Sequence, residues 1–201
     1  LSAELPNLTN LTNLAKLPKL LTKPLTTALA ATSAVIIDQQ YLNKADISDQ
    51  PVFKVISAQE LVTDEHLLQQ VFAVLVTAHY QTKPSDLQLL LDNRQLQLTC
   101  LFSSKNSNAE LLAVALLMSE GKGHGVNDND ILAIKNSQRR LRNHFLPQSL
   151  FSHCGFEHAF SYHYLRIMRI AVHPQIQQLG LGSTLLSHIE LLAIEQGADF
   201  V

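Results

Sequence analysis

The chain has 201 residues, 46% of them apolar and 16% charged, enough to bury one main core with an appended segment. Its formal charge of −2 excludes a general electrostatic affinity for nucleic acid, so any RNA contact must come from a local basic patch. No apolar run reaches the roughly 18 residues of a membrane span, and Cys100 and Cys154 fit neither a metal-binding spacing nor a disulfide framework, which points to a reducing, cytoplasmic setting.

Residues 1–50 read as a connector or the end of a preceding domain. Leucines at 5, 8, 11, 14, 17 and 20 recur every three residues among Pro6, Pro18 and Pro24, a spacing that drifts around an α-helix and supports only short or irregular pieces. The stretch lacks the basic region and apolar core of a signal peptide.

From residue 51 the pattern changes. Residues 51–57 alternate as a half-buried strand does, Ser57 and Glu60 stand at capping-box spacing, and Asp64 begins a long apolar-striped helix to about Tyr80. After Pro84 a short helix is expected over 85–93. Residues 95–103 and 109–120 read as antiparallel strands. Gly121, Gly123 and Gly125 open a polar insertion with helices expected over 130–142 and 148–153, the first broken before Pro147. Residues 164–173 form a β-branched strand. Over 180–195, apolar positions 181, 185, 186, 189, 192 and 193 mark an amphipathic helix closed by Gly197, and 198–201 opens another strand. The element order is that of a mixed α/β domain over 51–201.

The chemistry concentrates after the strand at 164–173. A strand, then Gln177-Gln178-Leu179-Gly180-Leu181-Gly182-Ser183, then a helix, turns successive backbone N–H groups into one hollow at a helix N-terminus, where the dipole also favours an anion. Phosphate is the natural guest. A Walker loop would need Lys after its last glycine, where Ser183 stands, and a dinucleotide fingerprint would need a third glycine where Leu185 stands.

The remaining pattern, Q-x-x-G-x-G, resembles the pyrophosphate-binding turn of the GNAT acetyltransferases. The segments "AHYQTKPSDLQLLLDN", "QRRLRNHFLPQSLFSHCGF" and "LRIMRIAVHPQIQQLGLG" further resemble the bacterial tRNA(Met) cytidine acetyltransferases, across about 51–201. The resemblance implies a GNAT-type mixed sheet flanked by helices, truncated here at its C-terminal strands. It implies acetyl-CoA as cofactor, with Ile170, Ala171 and Val172 presenting backbone groups to pantetheine and thioester and Gln177 through Ser183 holding the pyrophosphate. The acceptor is then the exocyclic amine of the wobble cytidine of elongator methionine tRNA. Full-length members carry a helicase-like ATP-hydrolysing module and a tRNA-binding segment, neither visible here, so ATP is assigned to no residue of this chain.

Cytosine's amine is a weak nucleophile until it loses a proton, and His173, at the end of the cofactor strand, is the candidate base; its simpler role is to cap the strand before Pro174. Lys135, Arg139, Arg140 and Arg142 fall in one expected helix, with 135, 139 and 142 on a shared face, a candidate phosphate-contacting patch for the tRNA or an ordinary solvated face. His144, His153, His158 and His163 have no zinc-ligand spacing, and no metal is expected. His79-Tyr80 reads as a helix anchor, and Met118 and Met168 as core. Two other functions fit the same residues: a GNAT acting on a protein or small-molecule amine, and a non-catalytic module docking RNA or a partner.

Overall fold

The computed structural model describes residues 51–78, 91–93, 95–103 and 109–201. The connector over 1–50, His79-Tyr80 and most of the helix expected over 85–93 lie outside the described residues; Leu91 and Asp92 are helical.

Strands β1 (Val52–Ile56), β2 (Leu96–Phe102), β3 (Leu111–Gly121) and β4 (His163–Val172) form one antiparallel sheet in that order. β3 is buried along its whole length because helices cover both faces. On one face Leu61 of α1 (Ala58–Thr63) and Val71, Val74 and Leu75 of α2 (Glu65–Ala78) meet Leu98, Cys100, Val114 and Leu116. On the other, Leu181, Leu185, Ile189 and Ala193 of α5 (Leu181–Glu195) meet Leu112, Ala113, Ala115, Leu117 and Leu165. The α5 stripe is narrower than its sequence suggests: Leu186 is exposed, because the i, i+4 row from Leu181 already fills the contact.

The capping box at Ser57 forms, with the Glu60 carboxylate accepting from Ser57 N at 2.7 Å. Asp64 closes α1, and its carboxylate accepts from Leu67 N at 2.9 Å as α2 starts.

The outer edge of β4 carries the features that matter for the site. Leu116 pairs with Arg169 but Leu117 with Ile167, so Met168 is an extra, bulged residue that bends the strand. On that edge the described residues supply one bridge, a parallel pairing of Tyr164 with Phe200 that starts the strand expected at 198–201.

The insertion between β3 and β4 departs from expectation twice. Its first helix, α3 (Asp128–Lys135), is capped by Asn127 and stops well before residue 142. Ser137 adopts a left-handed φ of 57°, and Ser137 N and Gln138 N bond back to Ile134 O and Ala133 O, closing the helix end. Arg139 and Arg140 therefore lie in irregular chain and Arg142 in a turn, and the shared helical face of 135, 139 and 142 does not exist. Its second helix, α4 (Phe145–Cys154), begins ahead of Pro147 rather than after it. A proline is accommodated in the first turn because its missing N–H has no intrahelical acceptor there.

One buried carboxylate fastens this insertion to the sheet. Glu120, 0% exposed, accepts from Arg166 Nε at 2.6 Å through Oε1 and from Leu146 N at 2.7 Å through Oε2. Next to it, Gly121 N donates to Nδ1 of buried His144 at 3.1 Å, and burial lowers the pKa of that imidazole and keeps it neutral. Replacing Arg166 by Met leaves the buried Glu120 carboxyl without its cation, which is expected to lower the unfolding free energy by about 3 kcal/mol in urea denaturation; an unchanged midpoint would show the pair to be dispensable.

Candidate active site

The turn after β4 is built by backbone strain and two tethers. His173 N donates to Leu112 O at 2.9 Å as the last rung of the sheet, and residues Pro174–Ile176 make a single 3-10 turn whose Ile176 is fully buried. The Gln177 side chain reaches back, Nε2 donating to Val172 O at 3.3 Å, and ties the loop to the strand end. Gln178 and Gly180 then take left-handed φ values of 66° and 77°. A non-glycine residue held there is a local strain that the loop retains.

Helix α5 starts directly after this curl, and no side chain caps it. Gly180 O accepts from Thr184 N at 3.0 Å and from Thr184 Oγ1 at 3.2 Å. The N–H groups of Leu181, Gly182 and Ser183 have no acceptor among the described residues. Three such donors at the positive end of a helix dipole are suited to an anion.

These donors open onto a cleft of about 540 Å³ walled by Ile170, Ala171 and Val172 of β4 on one side and by Gln177, Gln178, Gly180, Leu181, Gly182 and Ser183 on the other. The structure thus brings together every residue expected there except Leu179, which is 45% exposed and not part of the wall. The two glycines differ in role. Gly180 is set by its positive φ, whereas a Cβ on Gly182 would meet only Val172 Cγ2, at an ordinary 3.5 Å. The fold therefore tolerates a side chain at 182, and its absence bares the donors on the cleft side.

His173 adjoins the wall without lining it. Its Nδ1 accepts from Gln175 N at 3.4 Å, which caps the 3-10 turn that follows the strand, and burial lowers its pKa. The basic residues split. Arg139 ion-pairs with buried Asp130, and Lys135 lies 3.5 Å from Glu157, while Arg140 and Arg142 are exposed and have no ion pair among the described residues. Sequence reasoning missed the Glu120–Arg166 pair. Its signal was a carboxylate closing the apolar run of β3 and an arginine inside the apolar run of β4.

Of the expected histidine series, His144 is bound to Gly121, and the ring of His163 lies 4.7 Å from that of His124. Both cysteines are free thiols, Cys100 buried and Cys154 exposed. No helix among the described residues is long and apolar enough to cross a membrane.

Denaturation should separate the glycines. Gly180→Ala is expected to cost about 1 kcal/mol through its left-handed φ, and Gly182→Ala to leave stability unchanged or raise it by up to about 1 kcal/mol as a better helix former. Equal losses would mean that the fold itself demands both.

Comparison with known proteins bears on the same turn and helix. The family model described as GNAT acetyltransferase 2 matches residues 70–197. The tRNA(Met) cytidine acetyltransferase TmcA of Nitrosococcus halophilus is 39% identical over 141 residues, covering 70% of this chain and 18% of that protein. The Vibrio cholerae TmcA is 38% identical over 136 residues, 68% of this chain and 18% of that protein, and the Haloarcula marismortui TmcA is 36% identical over 154 residues, 73% and 19% respectively. The chain spans about a fifth of the length of these curated relatives. With the family model matched over more than half of its residues, including the whole of the β4–α5 turn, the chain belongs to the GNAT acetyltransferase 2 family.

Proposed function

We propose that this chain is the acetyl-transferring part of an enzyme that moves an acetyl group from acetyl-CoA to the exocyclic amine of the wobble cytidine of elongator methionine tRNA. One observation carries the reading: the uncapped N-terminus of α5 faces a cleft whose other wall is β4 beyond its bulge, at Ile170, Ala171 and Val172. The chain's family and the names of its relatives support the reaction and the acceptor.

The residues fit the cofactor. The amides of Leu181, Gly182 and Ser183 suit a diphosphate, and the bare Cα of Gly182 lets it approach them. The edge of Ile170, Ala171 and Val172 offers backbone groups to an extended pantetheine and to a developing oxyanion at the thioester. Bound acetyl-CoA supplies an activated acetyl thioester. His173 takes the proton that the cytosine amine loses as it attacks. Its depressed pKa keeps the ring neutral and able to accept that proton. Accepting through Nε2 requires the tautomer with hydrogen on Nδ1, which forfeits the bond from Gln175 N; at 3.4 Å that bond is weak enough to lose. Arg140 and Arg142 supply open positive charge for tRNA phosphates, and Arg139, held by Asp130, shapes the segment that presents them. ATP hydrolysis and further tRNA contacts belong to helicase-like and tRNA-binding modules of the full-length protein.

In the full-length enzyme, His173→Ala is expected to lower labelled acetyl incorporation into tRNA at least about a hundredfold while acetyl-CoA affinity stays within about twofold. The wild-type rate should hold as pH falls through the ordinary imidazole range near 6.5 and decline only below it, because the catalytic form is the neutral one and burial favours it. Undiminished turnover in the Ala variant would remove His173 from the mechanism. Reversing Arg140 and Arg142 to Glu should weaken tRNA binding and flatten its dependence on salt; an unaltered slope would place the phosphate contacts elsewhere.

A further inference from the structure

We infer that Phe145 and Arg166 form a stacking platform for an unpaired nucleobase, a contact distinct from the cofactor cleft. The inference rests on the RNA-substrate reading above and deepens it.

Phe145 opens α4 with 65% of its surface exposed and belongs to neither core cluster. The Arg166 guanidinium carbon lies 5.5 Å from its ring centroid, so a cation covers part of the ring while most of the side chain remains in water. Both partners are fixed by the same buried group. Glu120 Oε1 takes the Arg166 Nε hydrogen at 2.6 Å, and Glu120 Oε2 takes the N–H of Leu146, the residue after Phe145, at 2.7 Å. One carboxylate thus orients the guanidinium and anchors the backbone that presents the ring.

Packing among the described residues does not account for an aromatic side chain held out in this way. A preset ring with a guanidinium beside it matches how proteins hold single-stranded bases, through stacking on an aromatic face assisted by a cation. The surrounding charge has the sign an RNA loop requires. Arg140 and Arg142, five and three residues upstream of Phe145, are exposed and carry no ion pair among the described residues. They meet phosphate while the ring meets a base, the division of labour that lets a protein prefer a loop over a duplex. A purely apolar protein partner would gain nothing from these open charges.

The chain contains no tryptophan, so Phe145→Trp places a single reporter indole on the platform. Titration of this variant with a stem–loop RNA carrying an unpaired cytidine should quench its emission, and a fully paired RNA duplex should not. Phe145→Ala should weaken stem–loop binding about tenfold and leave duplex binding within twofold, with an unchanged melting temperature because the residue is exposed. An indole that does not respond to loop RNA, or an Ala variant that loses neither affinity or both equally, overturns the platform, as does indole quenching by a partner protein in place of RNA. Acetyl transfer to tRNA is read separately in the full-length enzyme. Transfer without any effect of Phe145 removes the platform alone, whereas loop-specific quenching without transfer to any tRNA removes the proposed reaction and leaves the platform standing.

Discussion

A helix that begins without a cap is the constraint on which the proposed site depends. The first amides of α5 have no partner among the described residues, and the left-handed residues Gln178 and Gly180 precede them. Most helices end this deficit with a Ser, Thr, Asp or Asn side chain. Here Gly180 occupies the cap, Thr184 turns its hydroxyl to Gly180 O, and Gln177 spends its amide on Val172 O. No side chain caps these donors, which leaves them to water or an anion.

The sheet gives that turn its rigidity. β3 is buried from end to end, pairs with both neighbours, and receives helices on both faces. β4 therefore has one edge fully held and the other held at Tyr164 among the described residues, with the Met168 bulge before the segment that walls the cleft. At the opposite end of the same two strands, Glu120 and Arg166 bind the insertion to the sheet. Cleft and insertion share a scaffold but use different ends of β4, an arrangement that suits the proposed transfer from a cofactor to a large acceptor.

Much of this was legible in the residues. The alternation in 95–103, the Ser57–Glu60 box and the glycine after α5 encode local geometry, and local geometry survives folding. The Q-x-x-G-x-G turn was legible for the same reason: a positive φ needs glycine, and the resulting curl sets where the next amides point. The arginines were not. Nothing in the spacing of Arg139 says that Asp130, nine residues back, is buried and in want of a cation. The expected helix through 142 failed because Ser137 turns left-handed, a conformation that no propensity scale assigns to serine. Pro147 did not mark the boundary expected of it: it stands inside the first turn of α4, which begins at Phe145.

The sequence by itself determined the order of elements and the glycine-built turn between β4 and α5, since each follows from period or backbone conformation within a few residues; that β3 is buried on both faces came from the structure. Only the tertiary structure decided which charges face water and which are spent inside. Glu120 and Arg166 are 46 residues apart in the chain, and Arg139 is paired with buried Asp130 while Arg140 and Arg142 carry no ion pair among the described residues. Burial and pairing depend on what the fold brings alongside a residue, and that information lies in no single stretch of the chain.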